Sequence, residues 1–173
     1  QNMGAQKIER VKKITRAGLG LNLSITLIVV ILVQIFAKPV IMLFDPVSTD
    51  VIEDGILYLR ICCGANSLIY AVMYTFDSFA IGTGSANIAM VNALLDAVIV
   101  RLPVSWLLAF AAGIGFPGVY IGQAVAPFIP AVVGWFYFKS RGWENRALTL
   151  KKTEQDKRQA DGLEERAVER TDR

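Results

Sequence analysis

Four apolar stretches of about twenty to twenty-six residues, at 17–37, 56–81, 88–112 and 118–138, dominate the chain, and each is near the ~20 helical residues that cross ~30 Å of hydrocarbon. The first reads AGLGLNLSITLIVVILVQIFA and is apolar on every face, whereas a soluble helix keeps a polar side toward water. The expected fold is all-α: a polytopic membrane protein with four transmembrane helices.

The charged residues sort to the flanks. Residues 1–16 form a basic segment with Lys7, Arg10, Lys12, Lys13 and Arg16 against Glu9, and Lys139, Arg141 and Arg146 follow the fourth stretch. Positive flanks stay in the cytoplasm, so both termini are expected there, in a plasma-membrane protein. The connection 38–55 carries Asp45, Asp50, Glu53 and Asp54 against Lys38 and is expected outside. From 139 to 173 the chain turns charged, with few aromatics and no apolar period, which predicts a disordered or loosely helical cytoplasmic tail. The chain starts with Gln1 and shows no cleavable leader before the basic segment, so it reads as part of something longer.

The protein has no histidine, which removes the usual general base, the Ser-His-Asp triad and every His-based metal site. No P-loop is present, and Gly82-Thr83-Gly84 lacks both the third glycine and the preceding strand of a dinucleotide site. Those glycines read as a helix end and turn. Cys62 and Cys63 are adjacent in a helix, point about 100° apart and serve packing rather than pairing with each other. Neither a catalytic residue, a metal site, an organic cofactor nor a nucleic-acid partner is expected; the chain meets lipid.

Inside the spans lie Arg60 and Asp77 in the second and Asp96 and Arg101 in the third. Each costs about 2.5 to 3.5 kcal/mol at mid-membrane on insertion scales, so such residues are seldom idle. A hairpin turning near Ala86 and Asn87 would place Asp77 and Asp96 at similar depth. Tyr74 precedes Asp77 by three residues and Asn92 precedes Asp96 by four, giving each carboxylate a polar neighbour on its own helical face. Oxygen ligands of this kind suit a hard cation or a shared proton, so Asp77, Asp96, Tyr74 and Asn92 are the coupling candidates. The alternative is that the aspartates hold the bundle together with Arg60 and Arg101 as buried charge partners. On a regular α-helix Asp96 and Arg101 sit about 140° apart and would need partners elsewhere, while Arg60 is expected to reach toward the acidic outer connection.

The fourth span repeats small residues every four positions, at Gly118, Gly122, Ala126, Pro130 and Gly134. Small side chains let helix backbones touch in lipid. Pro127 and Pro130 free carbonyls near mid-membrane, which predicts a kink that is either a static bend or a hinge.

The opening QNMGAQKIERVKK, YLRI at 58–61, FAIGTGSAN at 79–87, RLPVSWLLAF at 101–110 and GVYIGQAVAPF at 118–128 occur in the order and spacing of multidrug and toxic compound extrusion (MATE) transporters. The chain resembles helices nine to twelve of that twelve-helix, two-lobe family over residues 1–143. The resemblance implies a part of a secondary active exporter of small organic cations, driven by inward Na⁺ or H⁺ through alternating access. Its partners would then include the missing amino-terminal helices of the same transporter. It also implies that Arg101 and Pro103 belong to the eleventh helix and that Gly82 and Gly84 close the tenth. Ile81 stands where the family commonly has Arg, and Ser85-Ala86 where Asp-Thr is common. Of the family's cation carboxylates, one lies in an absent helix and the tenth-helix one falls nearer Tyr70 than Asp77. Two alternatives share these features: a related lipid-linked-sugar flippase, and an inactive remnant of a transporter. An intramembrane aspartyl protease would need Gly-x-Gly-Asp, but Ser85 follows Gly82-Thr83-Gly84.

Overall fold

A computed structural model describes residues 2, 3, 5, 7–140 and 142–145. Among these residues the protein is all helical, without a strand. Among the described residues three helices are long and apolar enough to cross a membrane, four if the one bent pair is a single span.

Helix α1 (Ile8–Phe44) runs 37 residues. It extends past the expected end at Ala37 and carries Pro39 in its interior. Proline removes one donor and frees the carbonyl four residues back; near a helix end at the membrane surface, water can satisfy that carbonyl, so the helix survives. Asp45 ends it, accepting the N–H groups of Val47 and Ser48 at 3.0 Å each.

The second crossing is two helices, α2 (Thr49–Cys62) and α3 (Ala65–Gly82), bent by 45°. An unbroken span over 56–81 was expected. The break falls at Gly64, where a Cβ would lie 2.5 Å from the Arg60 carbonyl oxygen. Only a residue without a side chain fits that close approach, and a hydropathy pattern does not register it. After Thr83, Gly84 takes φ 78 and the chain reverses into α4 (Ala86–Leu94).

The third crossing is continuous over Ala86–Ala111, but its ladder changes twice. Between α4 and α5 (Leu102–Trp106), residues Leu95–Arg101 form a π-helical segment, and Leu107–Ala111 form another. Pro103 follows the first. Its ring would strike the carbonyl of Ile99 in a tight α-turn, and a wider i→i+5 turn relieves that contact.

The fourth crossing is α6 (Phe116–Val125) and α7 (Phe128–Lys139), interrupted at Ala126 and Pro127. Gly118, Gly122, Ala126, Pro130 and Gly134 are all buried. A Cβ at Gly118 would lie 2.7 Å from the backbone of Leu108, and one at Gly122 would lie 2.7 Å from Cα of Ser105. The stripe is therefore where the third and fourth crossings touch by backbone. Farther along, a Cβ at Gly134 would lie 2.7 Å from Cβ of Phe76, so α3 joins the same seam.

At the end where α1 starts and α7 stops, Phe79, Val11 and Trp143 form a buried cluster. Trp143 is fully buried, donates from Nε1 to the Phe138 carbonyl at 3.0 Å, and meets Phe79 edge-on at 5.0 Å. Beside it Glu144 pairs with Lys12 at 2.7 Å. The segment expected to be a loose tail from 139 onward thus begins with an ordered helical turn over 142–145. Its aromatic residue finds apolar surface at the helix ends. The rest of that expectation, over 146–173, lies outside the described residues.

Candidate functional site

Two polar clusters sit inside the apolar layer, both between α3 and the third crossing. In the first, the Asn92 side-chain amide donates to Asp77 Oδ1 at 2.6 Å. Asn92 is fully enclosed and Asp77 is 9% exposed. Oδ1 of Asn92 is buried without a hydrogen-bond partner among the described residues. A buried amide oxygen left unmatched is costly, and a donor or a cation beside it would remove that cost. The bare face of Gly134 lies against this pair, its would-be Cβ 3.7 Å from Asn92 Nδ2.

In the second cluster Arg101 Nη2 meets Asp96 Oδ2 at 2.5 Å and also donates to the Tyr70 hydroxyl. Tyr70 in turn donates to both carboxylate oxygens of Asp96, at 3.2 and 3.3 Å. Asp96 is thereby neutralised within its own helix. The 140° separation expected on an α-helix does not apply, because the π-helical segment from Leu95 to Arg101 stacks residues five apart over one another.

The aspartates are not at one depth. The turn centres on Gly84 rather than on Ala86 and Asn87, and each residue of displacement shifts the antiparallel pairing by two. Asp77 consequently faces Asn92, and Asp96 lies about one helical turn (~6 Å) deeper, facing Tyr70. Tyr74 is 57% exposed and stacks on Tyr70 at 5.5 Å instead of neighbouring Asp77. Arg60 differs too: it is exposed, on a stripe with Glu53 and Leu57, while the opposite stripe of α2 through Gly55, Leu59 and Cys62 packs inward. Gly55 meets Ile41 and the Leu59 carbonyl accepts from Gln34 on α1 at 3.1 Å, and Cys62 reaches the Tyr120 carbonyl on α6.

Three uncharged polar side chains join the charged ones between the helices. Tyr70 bridges Asp96 and Arg101. Asn22 on α1 donates to the Ala71 carbonyl and to Thr75 on α3, at 3.0 and 3.1 Å. Asn66 is buried at the start of α3 with its Oδ1 unmatched among the described residues. The available signal was the presence of amides and hydroxyls within lipid-length apolar runs, which tend to face other helices.

Lipid-length helices with ionisable side chains enclosed between them define a polytopic membrane protein. A family model described as MatE matches residues 1–107, and the chain belongs to the MatE family. Among solved structures, it is similar to the inward-facing conformation of a multidrug resistance MATE family transporter of the MOP superfamily, with a TM-score of 0.70 and 22% identity. That likeness covers 87% of this chain and 34% of the other, so the chain spans about a third of that transporter's length. No curated protein matches.

Proposed function

We propose that this chain is part of a secondary active exporter of small organic cations, driven by inward movement of Na⁺ or H⁺, and that Asp77 with Asn92 is where the driving cation binds. The observation that carries the reading is the unmatched Asn92 oxygen beside a buried carboxylate. Such a pair is completed by a proton or a hard cation. Asp96 has Arg101 and Tyr70 already, so in this reading it organises the third crossing. The reading assigns no catalytic residue. Family membership supports a transport role, and basic residues gathered at the end holding Lys12, Arg16 and Lys139 support cytoplasmic termini in the plasma membrane.

The test is Asp77→Asn in the complete transporter, reconstituted with an imposed Na⁺ or H⁺ gradient. Export should fall about 5- to 150-fold, the span of ordinary coupling free energies, at unchanged yield and melting temperature. Normal export with unchanged ion dependence would overturn the assignment.

A further inference from the structure

The end of the bundle that holds the chain's basic flanks also holds a groove with a chemical character of its own. Helices α1 and α7 both pack on α3 rather than on each other. The trough between them is a cavity of about 460 Å³. Its apolar lining includes Leu19 of α1, Phe76 of α3 and Phe138 of α7. Arg16 stands on one wall and Lys139 on the other.

The charges divide clearly. Glu144 is taken by Lys12 at 2.7 Å, and that ion pair closes the end of the trough. Arg16 and Lys139 have no carboxylate partner among the described residues, and Lys139 Nζ lies 5.1 Å from the Trp135 ring centroid. Two cations without a carboxylate partner among the described residues thus line a partly apolar trough from different helices, beside a tryptophan of the kind that settles at the membrane interface. We infer that this trough binds the anionic headgroup of a phospholipid, the phosphate between Arg16 and Lys139 and the start of an acyl chain along Leu19 and Phe76. Basic pockets between transmembrane helices suit such headgroups because Coulomb attraction and apolar contact act together. A further transmembrane helix laid in the trough would bury both cations unless it brought a carboxylate, whereas a phosphate supplies the counter-charge itself.

The test uses the full chain in detergent, titrated with phosphatidylglycerol or phosphatidylcholine and read by native mass spectrometry. Phosphatidylglycerol should bind at one saturable site, and phosphatidylcholine should bind weakly. Arg16→Gln with Lys139→Gln should weaken the phosphatidylglycerol site about thirtyfold, while Arg16→Lys with Lys139→Arg should retain it. Circular dichroism establishes that each variant keeps its helix content; should the glutamine pair lose helix, Leu19→Trp, which fills the trough and leaves the charges, gives the same reading by abolishing the site. Equal weakening by Arg10→Gln with Lys13→Gln would show general surface attraction and overturn the proposal. Displacement of the lipid by millimolar inorganic phosphate would show a free-anion site and overturn it as well, as would equal binding of the two lipids.

Discussion

Asp96 and Arg101 are five positions apart on one helix and form an ion pair of 2.5 Å. The pair and the π-helical segment that contains it depend on each other: an α-helical ladder over the same residues would turn the two side chains apart. Local backbone geometry therefore decides whether a charge inside the bilayer is compensated.

Arg101→Gln should destabilise the protein by about 2 to 3 kcal/mol, below the full cost of breaking a buried pair because Arg101 is 31% exposed at its side chain. Adding Asp96→Asn should recover much of the loss by removing the stranded charge. Thermal unfolding in detergent measures both. A single variant as stable as the parent would show that the pair contributes nothing.

Along the fourth crossing, Gly122→Ala should cost about 1 to 3 kcal/mol by overpacking, since the added methyl meets Ser105. Gly18→Ala is the control: nothing lies within 4 Å of a Cβ there, and alanine favours a helix over glycine. Unfolding midpoints should move in opposite directions.

Asp45 gives the connection between α1 and α2 a pH dependence. The N–H groups of Ser48 and then Val47 hold its carboxyl below the ordinary value. A lowered folded-state value means that the contribution is complete above the unfolded value of about 3.9 and is lost as pH falls through the lower folded one. Protection of the Val47 and Ser48 amides, corrected for intrinsic exchange, should be flat from about pH 6 to pH 4 and drop below that. Asp45→Asn should abolish the step.

Topology is checked by labelling single cysteines from outside the cell in a background with Cys62 and Cys63 replaced. A probe at Ser48 should react and one at Thr153 should not, given the basic residues at the opposite end. Reaction of Thr153 alone would invert the orientation.

Hydropathy made the helices legible, because burial in lipid demands long apolar runs whatever the packing. The four-residue spacing of small side chains likewise marked the seam that Gly118 and Gly122 form. The pairing of polar groups was less legible. A turn placed two or three residues too late set Asp96 level with Asp77, where the structure sets it opposite Tyr70, and no periodicity distinguishes an i→i+5 ladder from an i→i+4 one. The break at Gly64 depends on a carbonyl contact that exists only after the chain has folded. Trp143 was hidden by its charged neighbours, although a tryptophan just past a helix end is itself a sign of docking.

The two interrupted crossings lie side by side and run in the same direction. Tyr58 of α2 meets Tyr120 of α6 at 5.3 Å, and Phe79 of α3 meets Tyr137 of α7 at 6.0 Å. The breaks near Gly64 and Pro127 therefore fall at nearly one level, so that α2 packs on α6 on one side of it and α3 packs on α7 on the other, while α1 and the third crossing run through it.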